Sequence, residues 1–212
     1  MIKSVFIFAV AFYNFEIALD FILQDMFAYN IEFKTTYQQQ LSHPKQLILC
    51  NHVYKGVEGI IFLKYFLNTS GNFDVVLRDE FGSRIFIHLY NRHRKKHHLQ
   101  PIIVHWTHEK NKNNNTVNKC VESLKNNHTV LIFLRKDKLN KTGVYNICKY
   151  SNAPATIMNI YKVDQANVWQ IPFVNFSRGD QIVVDTKVWH YHCNQSVSLF
   201  NRHLFDLLIV EK

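Results

Sequence analysis

From residue 47 onward, short runs of β-branched and apolar residues alternate with longer stretches whose apolar residues recur at helical spacing. The short runs predict strands at 47–50, 74–77, 102–105, 130–133 and 155–161. The longer stretches predict helices at 57–67, 80–90, 116–126 and 143–150. Such alternation is typical of an α/β fold, because each helix returns the chain so that the next strand can lie parallel to the last. The sequence therefore predicts a mostly parallel, twisted sheet flanked by helices.

The carboxy-terminal part of the chain follows a different pattern. It predicts three further strands and a closing helix, at 168–174, 181–184, 188–191 and 198–210. Polar or turn-forming stretches predict loops at 111–115, 135–141 and 177–180. With 212 residues, 47% of them hydrophobic, the chain can bury one sizeable core. We expect one α/β domain over 30–212, preceded by an apolar helix within 1–29.

The amino-terminal segment is strongly apolar. Residues 5–13 are continuously apolar or aromatic, and Glu16, Asp20 and Gln24 follow at four-residue spacing. On a helix these polar groups form one narrow stripe. The apolar run is too short to span a bilayer, because Glu16 and Asp20 would lie inside the hydrocarbon. Three interpretations remain open: a monotopic helix in the membrane interface, which we favour, a core helix, and a signal peptide.

The net charge indicates the class of partner, and the cysteines indicate the redox compartment. The formal net charge of +9 indicates an anionic partner, which is a phospholipid surface, a phosphorylated substrate or nucleic acid. The four cysteines are far apart and include no Cys-x-x-Cys pair, which is typical of reduced residues in a cytosol-facing protein and argues against a structural zinc site. Frequent Asn, Lys, Ile, Phe and Tyr are typical of an AT-rich genome, such as that of a large DNA virus.

Residues 92–98 form the most basic segment, with two arginines, two lysines and three histidines. Anionic lipid headgroups or the phosphates of coenzyme A suit this segment, and a solvated basic face is the structural alternative. His93 and His97 are four residues apart, but the adjacent cations would repel a metal and no third ligand is placed. Nucleic acid is the less favoured partner, because the aromatic residues lie in apolar runs instead of among the basic ones.

The main candidate for chemistry lies where the first predicted strand ends, at Asn51 and His52. Glu58 follows in the sequence. In parallel sheets, ligands bind beyond the carboxyl ends of the strands. An imidazole at that position with a carboxylate nearby can act as a general base. A histidine that caps the following helix is the structural alternative.

Four segments of residues 47–160 resemble the glycerolipid acyltransferase family typified by 1-acylglycerol-3-phosphate acyltransferase. That family's first block is a strand, then Asn-His, four residues and Asp. Asn51 and His52 match it, whereas the carboxylate here is Glu58, one position late and one methylene longer. Gly56 and Gly59 flank Glu58, and their permissive backbone gives its side chain room to swing back.

The other three blocks match to different degrees. Trp106 occupies the position where the second block has an arginine. The third block, Phe-Pro-Glu-Gly, corresponds to Phe133, Leu134, Arg135 and Lys136, of which only the phenylalanine matches. Pro154 matches the proline of the fourth block. The resemblance therefore supports a shared fold more strongly than a shared activity.

The resemblance implies an acyl-CoA-dependent acyltransferase that esterifies a lysophospholipid hydroxyl at a phospholipid membrane surface. His52 would be the general base and Glu58 would fix its tautomer. The residues that would contact the substrate are Asn51, Arg135, Lys136, Lys138 and Lys141. Acyl-CoA would be a co-substrate, with no bound cofactor and no metal, and the protein would lie on the cytosolic face of the endoplasmic reticulum or another internal membrane. A non-catalytic lipid-binding relative with the same fold is the alternative.

Overall fold

The protein is seen in a computed structural model. It describes residues 14–20, 30–34, 45–51, 61, 64, 66–67, 69–78, 81–107, 113–135, 142–163, 181–191 and 194–208. Seven strands form a single sheet: β1 (Asn30–Lys34), β2 (Leu47–Asn51), β3 (Phe73–Arg78), β4 (Ile103–Thr107), β5 (Thr129–Leu134), β6 (Ala155–Val163) and β7 (Gln181–Trp189). The helices bounded within these ranges are α1 (Phe15–Asp20), α2 (Phe81–Lys96), α3 (Asn113–Lys125), α4 (Gly143–Ser151) and α5 (Val197–Leu207).

The strands lie in the order β1, β7, β6, β2, β5, β3, β4. Every neighbouring pair is parallel except β6 and β7, which are antiparallel. The α/β class and the mostly parallel sheet predicted from the sequence are confirmed. All five strands expected between 47 and 161 are present, each slightly longer than predicted, because a continuous apolar run marks a buried strand clearly.

Three elements differ from the expectation. Helix α2 continues to Lys96 through the basic segment, and α3 begins at Asn113, inside a predicted loop. The two strands expected at 181–184 and 188–191 are one strand, β7. Alternate residues of a strand face opposite sides, so Thr186 is buried and Lys187 is exposed. The polar residues that suggested an interruption therefore belong to a continuous strand. The strand predicted at 168–174 lies outside the described residues.

The sheet is the middle layer of three. Ile48 and Cys50 of β2 point to one face, which α1, α2 and the helical residue Phe66 cover. Leu47 and Leu49 point to the other face, which α3, α4 and α5 cover. Both faces of β2 are thus apolar and fully buried, as expected for the central strand of a parallel sheet.

Within the amino-terminal segment, the described helix α1 packs one face against the core and leaves Ile17 exposed. Phe15 and Leu19 are buried, and the Phe15 ring contacts the Phe86 ring on α2 with centroids 5.4 Å apart. The polar stripe faces Lys64, whose Nζ lies 2.6 Å from Asp20 Oδ1 and 3.8 Å from Glu16 Oε1. The rest of 1–29 lies outside the described residues. No helix in the described ranges is long and apolar enough to cross a membrane.

Candidate functional site

The parallel strands β2 to β6 give the sheet two unlike edges. We call the edge where these strands end, at Asn51, Arg78, Thr107 and Leu134, the carboxyl edge, and the edge where they begin the amino edge. Helices α2, α3 and α4, which follow the parallel strands β3, β4 and β5, begin at the carboxyl edge and return the chain to the amino edge. Ligand sites in open α/β sheets form at the carboxyl edge.

Asn51 fixes the end of β2 at this edge. Its side-chain Nδ2 donates to the Ile160 carbonyl oxygen at 2.7 Å, and its Oδ1 accepts from the Ile160 backbone N–H at 2.8 Å. The carboxamide thus replaces a peptide group in the ladder between β2 and β6, just beyond the last paired residues, Cys50 and Met158. Asn51 is buried, and both polar groups of its side chain bond to β6, so its role in the structure is to position the end of β2.

His52 directly follows Asn51 in the sequence and lies outside the described residues, as do Glu58, Lys136, Lys138 and Lys141. The Cys50 thiol is fully buried on the face of β2 that packs into the core, which agrees with a packing role.

The connections between strands diverge at β3 and β5. After β5 the chain passes through α4 on one face and continues into β6, on the far side of β2. After β3 it passes through α2 on the other face and continues into β4, in the opposite direction along the sheet. Adjacent strands whose connections run apart leave a crevice at the carboxyl edge. The backbone pairing of β3 and β5 ends at Val76 and Ile132, although the strands continue to Arg78 and Leu134. By this topological rule, we expect a crevice between these strand ends.

Exposed arginines stand on both sides of this crevice. Arg78 is the last residue of β3, and Arg135 follows the last residue of β5. Because β2 and β5 are adjacent and Asn51 pairs with Leu134, the chain leaves these two strands at the same level, about 4.8 Å apart. Arg135, a predicted substrate-binding residue, is thus beside the exit of β2. Arg78 was missed, although it directly follows a predicted strand.

A third arginine reaches the same edge from α2. The Arg84 guanidinium carbon lies 5.7 Å from the centroid of the Trp106 ring, and Trp106 pairs with Leu77 near the end of β3. Trp106 stands where the family resemblance leads one to expect an arginine. A guanidinium from another element therefore lies over that position. Nothing in the sequence indicated Arg84, because its partner, Trp106, lies on β4, 22 residues further along the chain.

The basic segment 92–98 does not join this site. It forms the end of α2 and the following turn, and α2 runs from the carboxyl edge to the amino edge. Arg94 is fully buried and is not part of a solvated face. The His93 and His97 rings contact each other with centroids 4.4 Å apart and planes tilted by 35°. Among the described residues, no group of three or more potential ligands is arranged to hold a metal ion.

A second polar cluster lies inside the sheet near the amino edge. His105 Nε2 is 2.9 Å from Asp74 Oδ2 and 3.2 Å from Ser123 Oγ, and His128 Nδ1 is 2.8 Å from Asp74 Oδ1. Burial would raise the pKa of Asp74, but the hydrogen bonds from His105, Ser123 and His128 outweigh burial and hold this pKa below its usual 3.8.

This buried cluster is not a catalytic triad. In a serine hydrolase the two imidazole nitrogens contact different partners, so that a proton taken from serine faces a carboxylate on the far side of the ring. Here one nitrogen of His105 contacts both the carboxylate and the hydroxyl. Asp74 and His105 are also buried. The cluster is therefore a structural network that joins β3, β4 and α3.

No protein-family model matches the chain, and no curated protein matches it. Its function is therefore inferred from the geometry of the carboxyl edge and from the sequence resemblance.

Proposed function

We propose that this protein is an acyltransferase of the glycerolipid type, which transfers a fatty acyl group from acyl-CoA to the hydroxyl of a lysophospholipid. The observation that supports the proposal is that the start of the Asn-His pair and three arginines lie at the same edge of the sheet, the carboxyl edge. The Asn-His pair begins with Asn51 at the end of β2, and Arg78, Arg84 and Arg135 stand at the ends or exits of the neighbouring elements. A base and a phosphate anchor are the two parts that such a reaction needs.

In the proposed reaction, His52 removes the proton of the acceptor hydroxyl while the hydroxyl oxygen attacks the thioester carbonyl carbon. The new C–O ester bond forms, the C–S bond breaks, and the imidazolium returns its proton to the departing sulfur of coenzyme A. Glu58 stabilises the imidazolium. A strand that is pinned by its last side chain, as Asn51 pins β2, limits the positions that the following base can occupy, and a fixed base is worth orders of magnitude in rate.

Arginines are suited to the anionic part of the substrate. A guanidinium presents several N–H donors in a plane and can bind two phosphate oxygens at once. Arg78 and Arg135 border the crevice, and Arg84 is held over an indole ring, an arrangement that stabilises an exposed cation by about 0.5–1 kcal/mol. The phosphate of the lysophospholipid, or one of those in coenzyme A, is the ligand that we assign to them.

The alternative is a non-catalytic lipid-binding protein with the same fold. It is favoured by the positions where the family pattern changes: Glu58 comes one residue late, Trp106 replaces an arginine and Arg135 replaces an acidic residue. Both candidates place a phosphorylated lipid at the carboxyl edge. They differ in whether His52 removes a proton.

Thiol release from acyl-CoA in the presence of lysophosphatidic acid separates the two candidates. We expect release with the wild-type protein and a fall of at least a hundredfold for His52→Ala, on the order of the contribution of a general base. His190→Ala is the matched control, because His190 is an exposed histidine near the end of β7, away from the carboxyl edge.

Equal rates for the wild type and His52→Ala would remove His52 as the base. No release by the wild type, together with saturable binding of lysophosphatidic acid, would favour the non-catalytic lipid-binding protein. Neither release nor binding would refute both candidates.

A further inference from the structure

Several exposed apolar side chains are distributed along the amino edge of the sheet, from β4 to β7. Large apolar residues that are exposed in the described part of the chain include Ile103 at 46%, Tyr150 at 57%, Val188 at 42% and Leu199 at 43%. Ile103 begins β4, Tyr150 lies in the last turn of α4, and Val188 lies at the end of antiparallel β7, where it pairs with Thr156. Leu199 is in the first turn of α5, and its neighbour Phe200 packs on Trp189.

The same edge is cationic. Helices α2, α3 and α4 each end there, and exposed lysines occupy their last turns: Lys96, Lys125 and Lys149. Lys95, His97 and His98 add to the end of α2. Glu122 lies one turn before the end of α3, while Asp74 is buried and paired, so it adds no charge to the surface.

Cations at helix ends stabilise the helix dipole, and this alone would explain the three lysines. It does not explain the exposed apolar side chains at the same edge, which cost free energy in water. Apolar residues that are flanked by lysines are instead typical of surfaces that insert into the headgroup region of an anionic bilayer.

We infer that the amino edge is a docking surface for anionic phospholipid bilayers. The lysines contact the headgroup phosphates and carboxylates, and Ile103, Tyr150, Val188 and Leu199 insert at the level of the glycerol. A second copy of the chain does not fit, since two such surfaces would repel each other. Nucleic acid fits less well, because three of these four side chains are aliphatic and cannot stack with bases.

This surface is separate from the carboxyl-edge site. The six residues of β3 span about 20 Å between the two edges. A protein docked by the amino edge would present the carboxyl edge away from that bilayer, so the acceptor would reach the site as a dispersed molecule. Docking can therefore be tested whether or not acyl transfer occurs.

The test is flotation of the full-length protein with phosphatidylserine-containing vesicles and with phosphatidylcholine vesicles. The triple variant Lys96→Gln, Lys125→Gln and Lys149→Gln should bind the anionic vesicles about a hundredfold more weakly than the wild type, as expected for three lysines at a charged membrane. The matched control, Arg78→Gln, Arg84→Gln and Arg135→Gln, removes the same charge from exposed positions at the opposite, carboxyl edge and should stay within about threefold of the wild type.

The apolar part is tested with Ile103→Thr combined with Tyr150→Ser. This variant should bind anionic vesicles about tenfold more weakly, and unlike the lysine effect its deficit should persist in high salt. Circular dichroism spectra identical to the wild type would show that the variants are folded.

Equal flotation of the lysine triple variant and its control would overturn the inference. So would equal binding of the wild type to anionic and neutral vesicles. Lysine-dependent retention on single-stranded RNA without flotation would overturn it as well, and would assign the surface to nucleic acid.

Discussion

Replacement of Arg94 should destabilise the fold severely, although the sequence places this residue in a basic segment. Its guanidinium is fully buried and donates to five carbonyl oxygens, those of Phe66, Leu67, Thr69, Gly71 and Gln100, at 2.6–3.3 Å. These carbonyls belong to a helix end and to the turns that lead into β3 and β4. One side chain therefore joins two segments, 66–71 and 94–100, that are separated by more than 20 residues in sequence.

The magnitude follows from the acceptors that would lose a donor. A buried carbonyl without its hydrogen bond costs about 1 kcal/mol or more. The Phe66 carbonyl also accepts from the Thr69 N–H and keeps that partner. Of the remaining four hydrogen bonds, the one to Leu67 is buried and the other three are partly buried, so water can replace part of what they lose. We expect a loss of about 2–3 kcal/mol for Arg94→Met, which is a large part of the 5–15 kcal/mol typical of a whole domain. Arg94→Lys should lose about half as much, because an ammonium has three donors and cannot span the same acceptors.

Urea unfolding followed by circular dichroism measures this loss as a change in the free energy of unfolding. Lys95→Met is the matched control, since Lys95 is exposed on the same turn of α2 and should change stability by less than about 0.5 kcal/mol. If Arg94→Met unfolds with the same slope as the wild type and within 1 kcal/mol of it, the five carbonyls do not depend on the guanidinium and the reasoning fails.

Three further predictions concern other buried groups. Asp74→Asn should lower stability at pH 7 by about 3 kcal/mol, because His105 and His128 lose a charged acceptor. Folding lowers the pKa of the Asp74 carboxyl, so its contribution to stability is present above the usual pKa of 3.8 and is lost as the pH falls through the lower pKa of the folded protein. The difference in free energy of unfolding between wild type and variant, measured in urea, should therefore shrink below about pH 4. A difference that does not change with pH would contradict this. Asn51→Leu should cost about 2 kcal/mol and speed hydrogen exchange of the Ile160 amide, because this N–H loses its acceptor, and unchanged exchange would disprove the role of Asn51. Burial raises the pKa of the Cys120 thiol to about 12, so iodoacetamide at pH 8 should label Cys120 only after unfolding, and rapid labelling of the native protein would count against its burial.

The strands and their order along the chain could be predicted because they depend on local pattern. The runs at β2 and β5 are apolar on both faces, and only a central strand of a parallel sheet buries both. Helix α2 was predicted too short, because the residues after Tyr90 are basic and lack apolar periodicity. The burial of Arg94 depends on carbonyls of a distant turn, which no local pattern reveals.

The site could be predicted only in part, because it also depends on contacts between elements that are distant in sequence. The end of β2 at Asn51 follows from the apolar run and from the rule that ligands bind at carboxyl ends. The crevice between β3 and β5 depends on strand order, which sequence alternation leaves open. The pairing of Asn51 with Ile160 and of Arg84 with Trp106 joins residues on different elements, so these contacts appear only when the chain is folded.

The central claim is that the anionic ligand binds at the carboxyl edge, and binding of coenzyme A by calorimetry tests it whether or not the protein is catalytic. The double variant Arg78→Gln and Arg135→Gln should bind coenzyme A at least about tenfold more weakly than the wild type, because two charge-assisted contacts are lost. The amino-edge variant Lys96→Gln, Lys125→Gln and Lys149→Gln should bind it as the wild type does. Unchanged affinity in the arginine variant, with a loss in the lysine variant, would contradict the account and move the ligand to the opposite edge.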